Sequence, residues 1–337
     1  MKYSVIIPAY NAVRFIREAV ESVLLQNYSD WELIIINDGS TDNTLEVSKS
    51  LADSDPRIRV FDKKNEGVSA ARNDGLLAAT GDYLFFLDAD DKLGDEVMLR
   101  IAEALSLLNY QPDIVFGDYY RFDERSGFRM HYSFDYGSDL SEVTGKKIWN
   151  VLFGRRPVFV SPMMVQIYRT SFIKENKIFF DKSLSYAEDH DWRFLALQNS
   201  NRYYAPHFTT YYYREDNTLS ATHLPMTFKR YSCQNKFCVK WFYKAKEEPK
   251  LACVKDVILS RLAEIYMSNA TRISLIRDKQ ERDESWDLFR KSDRIMRYVR
   301  AKRHRLILQT YRVFGIAGLK LISHFCSSRS KRRSQNK

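Results

Sequence analysis

The chain is poor in cysteine. Its 337 residues hold four, Cys233, Cys238, Cys253 and Cys326, with none in the first two-thirds and no CxxC pair. That excludes a disulfide framework and a thiolate metal site, and it fits a reducing, cytoplasmic setting. Also missing is any uncharged apolar run near the roughly 18 residues of a membrane span. The longest late candidate, residues 313–319, is framed by Arg312 and Lys320. The opening MKYSVIIPAY has only a short apolar run, stopped by Pro8, and does not read as a signal peptide. Neither GxGxxG nor GxxxxGK occurs, which speaks against a dinucleotide-dependent dehydrogenase and a P-loop enzyme.

Acidic residues are absent from one stretch. From Met296 to the end there are 12 Lys and Arg and no Asp or Glu, leaving 41 basic against 43 acidic residues in 1–295. The formal net charge of +10 is therefore a body of −2 with a tail of +12. A basic body would suggest a nucleic-acid groove. A near-neutral body with a basic end instead points to local anchoring on something anionic, with no nucleic acid as partner.

What is present is a folded chain, 45% hydrophobic and 14% aromatic. Residues 4–7 and 31–36 read as apolar strands, 58–61 as a third and 83–87 as a fourth. Helical spacing lies between them over 12–26 and 69–79, and Ser40 or Thr41 is placed to cap the intervening helix. Apolar strands alternating with helices imply an α/β fold, a mostly parallel sheet covered on both faces. Residues 118–157 are aromatic, charged and weakly patterned, and read as a long insertion. Strand and helix patterns return at 163–168, 189–198 and 209–214, and from about 226 the pattern is helical. We place a boundary near Leu224 and Pro225, giving an α/β domain over 1–224 and a helical region over 225–337.

Polar clusters follow strands one, two and four: Pro8-Ala9-Tyr10-Asn11, Asn37-Asp38-Gly39-Ser40 and Asp88-Ala89-Asp90-Asp91. In a parallel sheet these meet on one rim, where such folds bind ligands. Each cluster alone is accounted for by turn chemistry. Together they put four carboxylates on one rim, a repulsive arrangement unless a cation or donors intervene. Hard divalent cations take carboxylate oxygens and keep substrate phosphates in their shell, so the third cluster suggests a metal–diphosphate site.

These segments, SVIIPAYN, IIINDGSTDNT, NEGVSAARNDGLLAATGDYLFFLDADD and the acidic pair in YAEDHDW, resemble in order and spacing the inverting family 2 glycosyltransferases of the GT-A fold. The resemblance covers about residues 3–215. It implies that Pro8, Ala9, Tyr10 and Asn11 border the nucleotide, that Asp38 accepts a hydrogen bond from the base, usually uracil, and that Asp88 and Ala89 lie at the ribose. It implies Mg²⁺ or Mn²⁺ on Asp90. Gly67 would let backbone approach the ligand. Arg72 would face the diphosphate or pair with a carboxylate. Asp189 would be the general base, with Glu188 beside it. One departure stands out: the family often has Gly before the acidic pair, and here it is Ala187.

The activity so implied is inverting transfer of a sugar from a UDP-sugar to a hydroxyl of a glycan or lipid-linked acceptor, in polysaccharide biosynthesis. Two alternatives compete. A sugar-phosphate nucleotidyltransferase would want a Gly-rich basic loop after strand one. A non-catalytic polybasic module would leave the DADD and ED clusters unexplained. In the tail, Arg305, Gln309, Arg312, Lys320 and Ser323 fall within an arc of about 80° on an ideal helix. Ile307, Tyr311, Phe314, Leu321 and Phe325 lie largely away from it. Such a helix either lies in a membrane interface, making the protein peripheral on the inner face of the cell membrane, or packs on the body with its cations in water.

Overall fold

The computed structural model describes residues 1–133, 140, 143–154, 162–217, 225–300 and 302–335, with side chains in the last helix described for 305–322. Two compact units emerge, Met1–Thr218 and Leu219–Lys337.

The first unit is built on β1 (Tyr3–Ala9), α1 (Ile16–Leu24), β2 (Trp31–Asp38), α2 (Thr44–Ser54), β3 (Ile58–Lys63), α3 (Val68–Ala78) and β4 (Tyr83–Phe86). It continues through β5 (Lys92–Leu93), α4 (Val97–Ser106), β6 (Ile114–Phe116), β7 (Asp118–Asp123), β8 (Phe128–Tyr132) and α5 (Ile148–Phe153). It closes with β9 (Gln166–Arg169), α6 (Thr170–Glu175), α7 (Glu188–Asn199), β10 (Tyr203–Tyr204) and β11 (Thr209–Arg214). Seven strands form one sheet in the order β10-β6-β9-β4-β1-β2-β3. β3, β2, β1 and β4 run parallel, and β9 lies antiparallel between β4 and β6. All eight residues of β2 are buried, as expected for a strand covered on both faces. The ladder sets Ala9 beside Asn37, so the first two polar clusters leave the sheet side by side.

The strands and helices read from the sequence are present, with shifted ends. The segment over 163–168 begins as a 3₁₀ turn (Met163–Val165) and becomes β9 only at Gln166. Neither Ser40 nor Thr41 caps α2: its N-cap is Asn43, and Asp42 just before it accepts the Thr44 N–H on Oδ1 at 3.0 Å. Within 118–157 the described residues are better organised than the pattern implied. β7 and β8 form an antiparallel hairpin in a second sheet, ordered β5-β11-β7-β8. Its aromatic and charged residues pair across strands, with Tyr119 stacked on Tyr132 at 4.8 Å, so no alternation of apolar and polar residues marked them.

An aromatic cluster lies behind the rim. Trp192 of α7 stacks on Phe180 at 4.3 Å and meets Phe86 of β4 edge-on at 5.3 Å. Phe86 is two residues before Asp88, and Trp192 three after Asp189. The same core contact therefore ties the fourth strand to the helix that carries the acidic pair.

The second unit packs α8 (Phe228–Glu247), α9 (Lys255–Ala270), α10 (Lys279–Ser292) and α11 (Lys302–Gln335) around Trp241, Tyr266, Trp286 and Phe289, all buried. Asp278 caps α10 by accepting the Glu281 N–H at 2.8 Å. α11 is broken at Gly315, whose φ of 56° and ψ of −146° are not helical. Before the break, Leu308 is buried and Tyr311 donates to Asp293 Oδ2 at 2.6 Å while meeting Phe289 edge-on. The side chains of Ser323 and Phe325 lie outside those described. Among the described residues no helix is long and apolar enough to cross a membrane.

Candidate active site

Hydrogen bonds join the four sequence segments in series. Asn11, in a left-handed conformation (φ 50°), accepts the Thr41 N–H on Oδ1 at 2.8 Å and donates its own N–H to Ser40 Oγ at 3.0 Å. That clasps the end of β1 to the loop after β2. Asp38 accepts the N–H groups of Glu66 and Gly67, one on each oxygen, at 2.9 and 2.8 Å. Each oxygen retains a lone pair. Asp38 therefore pins the turn that starts α3, where Gly67 takes φ 91°, a value that suits glycine. Gly39 is required by space as well, since a Cβ there would come within 2.6 Å of the Asn65 amide nitrogen.

From α3 the series continues through Arg72. Its guanidinium is buried, with Nη2 on Asp88 Oδ1 at 2.8 Å and Nη1 on Glu188 Oε1 at 3.2 Å. One cation thus bridges the DADD loop and the acidic pair. Asn73, beside it, accepts the Phe180 N–H and donates to the Phe180 carbonyl, and Ser69 donates to the Leu184 carbonyl. α3 thereby carries the segment that leads into α7.

Burial penalises the charge of both acids in the pair, but their surroundings differ. For Asp189, His190, Arg193, the His190 N–H and Arg72 outweigh burial and hold its carboxyl below the usual range. Glu188 goes the other way. Burial and the neighbouring Asp189 push it up to about 7, although it touches Arg72, whose charge is shared with Asp88. The two adjacent carboxyls thus differ in their hold on a proton: Asp189 favours the ionised form, while Glu188 is raised to the edge of protonation at neutral pH. Arg193 Nη2 lies 2.7 Å from His190 Nδ1.

In the DADD loop, burial and Asp88 raise the Asp90 carboxyl above its usual range. Asp91 is raised well above it by burial, Asp90 and Asp88. This loop is short of positive charge, and a cation at Asp90 would supply it. Among the described residues no three side chains stand together as metal ligands. A cation held by Asp90 would thus take other ligands from phosphate oxygens and water, as Mg²⁺ and Mn²⁺ do.

Three residues that sequence reasoning passed over hold this loop, all in or just after β11. Tyr211 donates its O–H to Asp91 Oδ2 at 2.7 Å and accepts the Asp88 N–H at 3.1 Å. Arg214 gives its backbone N–H to Asp91 Oδ1, its Nε to the Asp90 carbonyl and its Nη2 to Glu18. Asn217 donates to Asp90 Oδ2 at 2.8 Å. Nothing in the strand YYYREDN signals this, since only the pairing of β11 with β5 and β7 brings it under the loop. Of the other expected residues, Tyr10 is 53% exposed at the rim, Pro8 is half-buried, and Ala9 and Ala89 are buried, so their backbones are what they can offer a ligand.

A family model described as "Glycosyl transferase family 2" matches residues 4–173, from β1 to the fourth residue of α6 and including every rim cluster before the acidic pair. The chain belongs to glycosyl transferase family 2. Among curated relatives, Bacillus subtilis EpsJ, an uncharacterized glycosyltransferase, is 31% identical over 222 residues, covering 66% of this chain and 63% of EpsJ. Glycosyltransferase GlyA of Streptococcus pneumoniae is 37% identical over 131 residues, 39% of this chain and 18% of GlyA. The chain thus spans less than two-thirds of the length of these relatives. Among solved structures, S. aureus TarS 1–349 in complex with UDP-GlcNAc aligns with a TM-score of 0.72 at 21% identity, over 98% of this chain and 92% of that one. The fold is the GT-A fold of this family, as the resemblance implied, with the helical C-terminal region read from the sequence pattern.

Proposed function

We propose that the chain transfers a sugar, with inversion, from a UDP-sugar to a hydroxyl of a glycan or lipid-linked acceptor in polysaccharide biosynthesis. The observation that carries this reading is the Arg72 bridge. It joins the loop expected to hold the donor's ribose and metal, through Asp88, to the pair expected to activate the acceptor, through Glu188. The TarS complex with UDP-GlcNAc supports a UDP-sugar as donor.

Asp189, ionised beside Arg193 and His190, takes the acceptor's proton as its oxygen attacks the anomeric carbon. Glu188 orients that end of the site through Arg72. Attack opposite the departing nucleoside diphosphate inverts the configuration. Asp90 would hold Mg²⁺ or Mn²⁺, which when bound neutralises charge on the departing diphosphate. Tyr10 offers an exposed ring to the base, and Asp38 keeps the lone pairs that can accept an imide N–H. The remaining task is alignment of two bound substrates. The α/β domain, expected over 1–224 and compact over Met1–Thr218, carries this chemistry, and the basic end of the helical region brings it to the anionic inner face of the cell membrane.

Purified protein supplied with Mn²⁺ and a panel of UDP-sugars should release UDP from one of them. Asp189→Asn should abolish transfer while leaving UDP binding, and Asp90→Ala should abolish Mn²⁺-supported UDP release; release that survives Asp90→Ala would overturn the metal assignment. Undiminished transfer by Asp189→Asn would sink the base assignment.

A further inference from the structure

The face of α11 that packs and the face that stays open both carry apolar residues. Leu308 and Tyr311 turn inward, and beyond the break at Gly315 so does Leu319. Left outside are Leu306 (67% exposed), Val313 (72%), Phe314 (65%) and Leu321 (73%). Tyr311, read from the sequence as part of the helix's apolar face, packs on the second unit, while Leu306 and Val313 lie outside.

These exposed residues are not scattered. At about 100° per residue, Arg312, Arg305 and Gln309 occupy roughly 60° of the first half of α11. Val313, Leu306, Thr310 and Phe314 fill about the next 100°, with Leu308 and Tyr311 opposite. Before the break an apolar strip therefore runs along the outside of α11 with a cationic row at its edge, and beyond it Lys320 and Leu321 are both exposed. Adjacent large apolar side chains in water are costly and mark a surface that meets something.

We propose that this strip is a membrane-insertion face: Leu306, Val313, Phe314 and Leu321 enter the acyl boundary of a bilayer, and Arg305, Arg312 and Lys320 contact anionic headgroups. Charge selects this occupant. The 12 cations from Met296 onward have no acidic residue among them, so a second copy of the same surface would be repelled. A nucleic acid would satisfy the cations and leave the apolar strip in water. A bilayer with anionic lipid takes both. Why a sugar transferase carries such a face rests on the reading above; the face itself rests on exposure and charge.

The test is sedimentation of the full chain with phosphatidylcholine vesicles and with vesicles that also contain phosphatidylglycerol. Binding is expected to the second alone. Arg305→Gln with Arg312→Gln should weaken it about fivefold per charge. Leu306→Asp with Phe314→Asp should weaken it at least tenfold, because two large side chains no longer leave water. Both double variants change exposed residues and should keep the far-ultraviolet spectrum of the parent. If Leu306→Asp with Phe314→Asp binds anionic vesicles as tightly as the parent, insertion is overturned. If the parent binds no vesicles and this variant instead dissociates a dimer, the face is a contact between copies and the proposal falls. UDP release measured without vesicles should be equal in parent and variants. Its absence from the parent would count against the transferase reading and leave the vesicle result standing.

Discussion

Ala187 takes a left-handed backbone, φ 67° and ψ 14°, immediately before the acidic pair. An L-residue is disfavoured there by roughly 1–2 kcal/mol. The family's frequent glycine would avoid this, so the departure noticed in the sequence leaves the backbone shape intact and stores strain instead. Ala187→Gly should relieve it, less about 0.4–1 kcal/mol for the freer unfolded chain. Urea denaturation should show a net gain of up to about 1.5 kcal/mol with transfer retained; a loss of stability would mean that the turn favours alanine for a packing reason. The pair itself makes a second prediction. The Glu188 carboxyl is raised in the fold, so the native state holds a proton that the unfolded chain has released. Its stabilising share is complete below the unfolded value near 4.5 and is lost as pH rises through about 7. Across pH 5 to 7 Glu188→Gln should flatten the decline, on the order of 2 kcal/mol at 1.36 kcal/mol per unit. It should also remove any inflection near pH 7 from the profile of kcat/KM.

Strand β11 acts on the site as an element. Its alternate residues present Tyr211 to the DADD loop, and its end presents Arg214 to the same loop and to Glu18 of α1. Tyr211→Phe removes the donor to a buried Asp91 and the acceptor of the Asp88 N–H together. A thermal or urea melt should show a loss of about 1–3 kcal/mol, and calorimetric titration with Mn²⁺ and UDP should show weaker binding, because the loop that would hold the cation loses its strut. Stability that falls while Mn²⁺ affinity stays level would confine Tyr211 to a packing role. The contrast between elements explains what was legible beforehand. β1, β2 and β4 are buried, so apart from Ser4 and Glu32, which hydrogen-bond to each other, their residues are apolar up to the polar clusters at their ends. Composition alone exposed them and the rim they make. β7, β8 and β11 belong to a small sheet of tyrosines, arginines and acids whose pairing is long-range, and no local period encodes which of them lies beneath Asp90 and Asp91. α11 was legible as amphipathic, but periodicity tells where apolar residues lie, not which of two apolar rows a neighbouring helix will cover.

On the scale of the whole molecule the charge divides as the chain does. The acidic rim lies in the first unit and the acid-free stretch ends the second, so salt should act on them separately. Cutting the chain within α11 before Leu308 would remove core contacts of the second unit and confuse anchoring with unfolding. Cutting after Ile322 would not: it spares Leu308, Tyr311 and Leu319 and removes Arg329, Lys331, Arg332, Arg333 and Lys337, five of the 12 cations. UDP release in solution should then match the full chain, since no site residue is touched. Elution from anionic vesicles should need less salt, because each lost cation contributes on the order of 1 kcal/mol near such a surface and is screened within about 10 Å at 0.1 M ionic strength. Residual binding should persist through Leu306, Val313, Phe314 and Leu321 and resist salt, since burying apolar surface is not screened. If truncation instead abolished vesicle binding at every salt concentration, the last 15 residues would be the anchor and the exposed strip of α11 a bystander.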